Sequence, residues 1–104
     1  MIEIPLAAIP NQTLSIRLNN SFYNVALKFV STVMAVDVTR DNMLLVQGQR
    51  VVSGFPIIPY EYLWEDSGNF AIITRAGDYP IYTEFGISQY LLFATTAEIE
   101  ALNG

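Results

Sequence analysis

The sequence has 104 residues, with no cysteine, no histidine, and ten acidic against five basic residues for a formal charge of −5. This length fits a single hydrophobic core, and therefore one domain over residues 1–104. The composition excludes disulfides, Cys/His metal sites, cysteine nucleophiles and Ser-His-Asp triads, and the negative charge opposes binding to nucleic acid.

The chain is rich in apolar residues (52%) and poor in charged ones (14%), whereas soluble domains carry roughly a quarter charged residues. A small domain cannot bury that much apolar surface, so the excess predicts contact with another protein or self-association. The alternative is a large apolar core inside an uncharged polar exterior. No stretch approaches the roughly 20 apolar residues of a membrane-spanning helix, and Met1–Pro5 lacks the basic segment of a signal peptide. We therefore expect no membrane insertion, and folding in a cytoplasm.

The first ten residues predict an extended N-terminal segment, because they are apolar and contain two prolines. This segment can pair with its own sheet or add a strand to a neighbour. Beyond it, alternation of apolar and polar residues predicts a meander of antiparallel hairpins. Asn19–Asn20 and Asp41–Asn42 suit tight turns, because Asn and Asp tolerate positive φ. The predicted strands are Thr13–Leu18, Tyr23–Phe29, Met34–Thr39 and Met43–Val46, with the chain resuming after Gly48.

The second half of the chain predicts fewer regular strands. Two prolines make Phe55–Tyr60 an edge strand or an extended connection. Further strands are predicted at Phe70–Thr74 and Ser88–Ala94. The remaining features are a loop over Glu61–Asn69, a turn at Arg75–Asp78, an extended stretch over Tyr79–Phe85 and a bulge or corner at Gly86.

A short helix is predicted over residues 95–103, because Thr95 and Glu98 have the spacing of a capping box. Ile99 and Leu102 then face the sheet, and Asn103–Gly104 ends the helix. These elements together predict an all-β antiparallel barrel or sandwich of six to eight strands with one short C-terminal helix.

Hydrolytic chemistry has two candidate carboxylate pairs, Asp37 with Asp41 and Glu65 with Asp66. Asp41 falls in a turn, where its side chain caps the backbone, and the second pair lies in a polar loop, so both have structural explanations. The spacings of calcium loops and nucleotide-binding loops are missing from the sequence. We expect no catalytic residue, no metal ligand and no cofactor.

An aromatic row is the second candidate site. Tyr60, Tyr62 and Trp64 alternate, so in an extended segment they share one side. Such a row can contact a partner, close the core or stack on sugars. With the apolar terminus and the proline segment, the candidate partner-contact residues are Ile2, Ile4, Leu6, Ile9, Phe55, Ile57, Tyr60, Tyr62 and Trp64.

The chain resembles the small baseplate plug proteins of contractile-tailed phages along most of its length. The resemblance is carried by Ile4–Gln12, Asp37–Asp41, Pro59–Leu63, Gly77–Pro80, Tyr82–Gly86 and Thr96–Ile99. In physical terms, Asp37 and Arg40 are predicted to form an ion pair that pins the second hairpin. Gly77–Asp78 is predicted to form a tight turn, and Pro80 to protect a strand edge.

This resemblance implies a non-enzymatic structural protein of the virion, located in the tail baseplate and assembled in the host cytoplasm. Its implied partners are the hub, spike or tube proteins of the tail, and its motifs concern folding and packing, so no catalytic or cofactor residue carries over. The alternative is a lectin-like or inhibitor-type binding module that uses Tyr60, Tyr62 and Trp64.

Overall fold

Two antiparallel sheets and two short α-helices make up the computed structural model, which describes residues 1–75 and 78–103, with side chains as far as residue 101. One sheet has the order β2-β3-β4-β5 and the other β1-β7-β6. The sheets do not join into a barrel, so of the two predicted architectures the sandwich is confirmed. The elements are β1 (Ile2–Ile4), β2 (Gln12–Leu18), β3 (Ser21–Val30), β4 (Val33–Arg40), β5 (Met43–Arg50), α1 (Glu61–Trp64), β6 (Gly68–Ile73), β7 (Tyr90–Thr95) and α2 (Thr96–Asn103).

The four-stranded sheet is built from three hairpins, each closed by a two-residue turn in which both φ angles are positive. These angles are 47° and 67° at Asn19–Asn20, 45° and 73° at Ser31–Thr32, and 50° and 69° at Asp41–Asn42. Positive φ at both positions defines type I′ turns, which match the twist of the flanking strands. The first and third turns confirm the sequence prediction. In the middle turn, a β-branched Thr occupies a region that such residues rarely adopt.

The core lies between the two sheets and centres on three aromatic rings. Tyr23 of β3 meets Phe70 of β6 edge-on at 5.1 Å between ring centroids, and Phe93 of β7 lies 5.1 Å from Phe70. The Tyr23 hydroxyl is hydrogen-bonded to the hydroxyl of Ser67 inside the core. This hydrogen bond satisfies both polar groups where water cannot reach them.

The three-stranded sheet is formed by the two ends of the chain. β1 pairs with β7, with Ile2 opposite Phe93 and Ile4 opposite Leu91. The N-terminal segment therefore pairs with its own sheet over Ile2–Ile4, the first of the two alternatives left open by the sequence. None of the described helices has the length and hydrophobicity needed to cross a bilayer.

The free edge of β6 is covered by the segment between β5 and α1. The amides of Gly54 and Ile57 donate to the carbonyls of Ile72 and Phe70, at 2.9 and 2.8 Å. The segment is not a named strand, so the extended connection predicted at Phe55–Tyr60 is confirmed. This covering leaves little of the edge open to wrong pairing.

Three carboxamide side chains fasten loops to strands by imitating a peptide group, with one N–H donated and one C=O accepting. Asn69 accepts from the Ile58 amide at 2.9 Å and donates to the Ile58 carbonyl at 2.8 Å. Gln12 makes the same reciprocal pair with Ala7. Gln89 accepts from the Ile81 amide and donates to the Tyr79 carbonyl. Asn69 and Gln89 are buried, so their amide pairs replace strand pairing where water is excluded.

The predicted capping box at the start of α2 is confirmed. The Thr95 hydroxyl accepts from the Glu98 amide at 3.3 Å, and the Glu98 carboxylate accepts from the Thr95 amide at 3.0 Å. The same carboxylate pairs with the Met1 ammonium group. These bonds, the Met1 contact first, lower the pKa of Glu98. The predicted roles of Leu102 and Asn103–Gly104 lie outside the described side chains.

Four local predictions differ from the structure. A one-turn helix, α1, stands where a loop was expected, and a 3-10 turn at Tyr82–Glu84 interrupts the stretch predicted to be extended. β5 runs through Gly48 with a shift of register rather than breaking there. Pro80 is buried rather than exposed on a strand edge. The predicted turn at Arg75–Asp78, with Gly77 at its centre, lies partly outside the described residues.

The predicted ion pair between Asp37 and Arg40 does not form. Residues three apart on a strand point to opposite faces, so Arg40 faces α1 and donates to the Leu63 carbonyl at 2.7 Å. Asp37 instead pairs with Lys28 on β3 and accepts from the Gly48 amide at 2.6 Å. The Lys28 hydrogen bond, followed by the Gly48 hydrogen bond, lowers the pKa of Asp37 from its ordinary value of 3.8.

We expect Asp37→Asn to destabilise the fold by about 1 kcal/mol at neutral pH, because it removes the charge that pairs with Lys28 and keeps the Gly48 hydrogen bond. A carboxyl whose folded-state pKa is lowered stabilises the fold above its unfolded pKa, and loses that contribution as pH falls through the folded value. The difference between variant and wild type in urea denaturation should therefore vanish under strongly acidic conditions. A difference that is constant with pH would contradict the ion pair.

Candidate partner-contact surface

The nine residues predicted to contact a partner divide into three groups. Ile4 and Ile57 are buried in the core, so their prediction as contact residues is wrong. Leu6 and Trp64 are half-buried and pack against the core. The exposed members are Ile2, Ile9, Phe55, Tyr60 and Tyr62.

The aromatic row does not have the predicted geometry. Tyr60 is the extended residue before α1, and the next four residues are helical, so alternation along a strand does not apply. Tyr60 and Tyr62 stack on each other, with ring centroids 5.9 Å apart and an interplanar angle of 24°. They are 60% and 70% exposed, and Phe55 is 65% exposed. The result is a pair of stacked tyrosines on the surface, separate from Trp64.

Trp64 anchors α1 to the body of the sandwich. Its carbonyl accepts from the Ser67 amide and from the Thr96 hydroxyl, both at 3.0 Å. The Arg40 guanidinium holds the preceding carbonyl, that of Leu63, from the four-stranded sheet. Since α1 is fastened on both sides, Tyr60 and Tyr62 project from a fixed support.

Other exposed apolar residues were missed in the sequence analysis. Tyr79 is one of the most exposed large side chains, and Met43, Leu44 and Ile87 are also exposed. The run of four apolar residues that begins β5 contained a usable signal, because alternate residues of a strand face opposite sides. Two of the four had to point away from the core.

The candidate carboxylates have structural roles or lie in solvent. Asp41 accepts from the Phe22 amide at 2.9 Å, as its turn position predicted. Glu65 and Asp66 are exposed in the turn after α1. Within residues 1–75 and 78–103, His, Cys, Asp and Glu side chains do not gather in groups of three or more that could hold a metal ion.

Comparison with known proteins identifies the family. The family model described as cyanophage baseplate Pam3 plug gp18 matches residues 1–97 of the chain. No curated protein matches it significantly. The match covers both sheets, α1 and the capping box of α2. Because it extends over nearly the whole sequence, the chain belongs to this family of phage baseplate plug proteins.

Proposed function

We propose that this chain is a non-enzymatic structural component of a contractile phage tail, which contacts hub, spike or tube proteins of the baseplate through exposed apolar side chains. The observation that carries the proposal is the family match over residues 1–97. Membership of a baseplate plug family implies a place in the tail baseplate and interaction with other baseplate components. Assembly then takes place in the host cytoplasm.

The surface of the sandwich supports a contact role. The chain has few charged residues, and exposed tyrosines and phenylalanines remain at fixed positions. Aromatic side chains of this kind dominate binding energy at interfaces, because they bury large areas with little loss of rotamer freedom. We propose Phe55, Tyr60 and Tyr62 as the main contacts, with Ile2 and Ile9 beside them.

Tagging the protein in its phage and purifying the tails tests the proposal. We expect the tagged chain in the baseplate fraction at a fixed ratio to the hub, with chemical cross-links to hub, spike or tube proteins. A chain that is missing from purified tails would contradict the proposal.

A double variant tests the contact residues. Tyr60→Ser with Tyr62→Ser removes two exposed rings and no core contact, so the variant should stay folded and bind its tail partner about 30-fold more weakly. Tyr79→Ser is the matched control, because Tyr79 is also an exposed tyrosine but lies near Thr32, at the other end of the four-stranded sheet. Equal losses in both variants, measured by surface plasmon resonance, would place the contact elsewhere.

A further inference from the structure

The outer face of the three-stranded sheet carries an apolar groove that the proposed contacts do not use. Alternation along β6 and β7 turns Phe70, Ile72 and Phe93 into the core, so Ala71, Ile73 and Leu92 face outwards. Three side chains from other parts of the chain also line the groove, namely Pro56, Trp64 and Ile99. Its volume is about 240 Å³, and a cavity of about 150 Å³ holds benzene. The groove therefore has room for one large apolar side chain.

A second depression adjoins the groove and is acidic. It shares Trp64 and Ile99 with the groove, and every charged side chain that lines it is a carboxylate. The two salt bridges in the described part of the chain are made by other carboxylates, Asp37 and Glu98. The acidic side chains in the depression are Glu61, Glu65, Asp66 and Glu100.

We propose that this groove receives a segment of a tail hub, spike or tube protein in which a large apolar side chain is flanked by lysine or arginine. The apolar side chain fills the space over Ala71 and Leu92, and the cationic groups lie against the carboxylates around Trp64. This inference rests on the proposed function, because it names the surface and the chemistry of the partner.

Charge decides between this partner and a second copy of the chain. Two copies that met through this face would bring together two groups of four carboxylates, on molecules that each carry a charge of −5. Like charges facing each other across an interface are unfavourable, whereas a basic segment gains attraction and a faster association rate. The complementary occupant is therefore cationic.

The test uses the full chain and the purified hub, spike and tube proteins, each titrated separately in about 0.1 M and 1 M NaCl, between which the Debye length falls from about 10 to 3 Å. We expect at least one of the three proteins to bind the wild type, more weakly in high salt. Ile73→Glu should weaken that binding at least tenfold. Leu44→Glu is the matched control, since Ile73 and Leu44 are 40% and 54% exposed strand residues on different sheets, and its affinity should stay within about twofold.

Two further variants separate the apolar and the electrostatic parts. Ala71→Trp fills the groove with the chain's own side chain and should weaken binding without added charge. Glu61→Gln with Glu65→Gln should reduce the dependence of the affinity on salt. Circular dichroism of each variant establishes that the fold is retained.

The outcomes distinguish the two proposals. If the wild type is found in baseplates and binds a tail protein, but Ile73→Glu and Ala71→Trp bind equally well, the groove proposal fails and the proposed function stands. A salt-independent affinity, failure of all three proteins to bind, or a homodimer that Ile73→Glu abolishes would also overturn it. If the wild type is missing from purified baseplates, the proposed function itself fails.

Discussion

Gly68→Ala should destabilise the protein by about 4 kcal/mol or more, which approaches the whole stability of a domain of this size. The Gly68 backbone has a φ of +156°, and a Cβ there would lie 2.3 Å from the Ala94 carbonyl oxygen and 2.6 Å from the Phe93 ring. Strain at that φ adds to the overlap with a neighbouring strand. Urea denaturation followed by circular dichroism measures the loss.

Gly54→Ala is the control for this prediction. Gly54 also has a positive φ, of +75°, but a Cβ at this position would have no atom within 4 Å. Its loss should be about 1 kcal/mol, the cost of placing an L-residue in the left-handed region. Similar losses for the two variants would show that conformation, rather than contact with β7, limits Gly68.

Asn69→Leu should destabilise the fold by about 3 kcal/mol or more. The substitution leaves the Ile58 amide and carbonyl buried without the partners that Asn69 supplies, and each unsatisfied buried group costs roughly 1–3 kcal/mol. It also opens the contact between β6 and the segment that covers its edge. Thermal and urea denaturation should both register the loss.

Gln12→Leu removes the same pair of hydrogen bonds at the surface. Water can replace the side chain at the exposed Ala7 groups, so we expect a loss below about 1 kcal/mol. Comparable effects in the two variants would contradict the argument that burial decides the contribution of these amides.

The meander could be predicted from sequence because its information is local. Alternation in β3 and β4 and the Asn and Asp residues of two turns each act within a few positions. The turn at Ser31–Thr32 was not recognised, because Ser and Thr rarely take positive φ. Pairing of Val30 with Val33 in the ladder overrides that local preference.

The aromatic row shows where local patterns fail. Tyr60, Tyr62 and Trp64 alternate as a strand would, but α1 is supported by the Arg40 guanidinium, 23 positions before the Leu63 carbonyl that it reaches. A contact over that separation leaves no periodic signal. Tertiary support of this kind routinely overrides weak propensities in a single turn of helix.

Of the candidate contact residues, Phe55 and Ile57 look alike in sequence, yet one is exposed and the other buried. The difference arises because the Ile57 amide pairs with the Phe70 carbonyl, which joins this residue to the sheet whose core face it then shares. The groove beside Trp64 was missed for the same reason, since its walls come from segments far apart in the chain.

The origin of the two sheets has a consequence for folding kinetics. The four-stranded sheet comes from the contiguous stretch Gln12–Arg50 and contains only hairpins between neighbours, so its loops close rapidly. β1 pairs with β7, almost the whole length of the chain away. During synthesis, β1 leaves the ribosome first and acquires its partner last. The apolar face of the meander therefore remains uncovered until the final strand emerges, which is the interval of greatest exposure to aggregation.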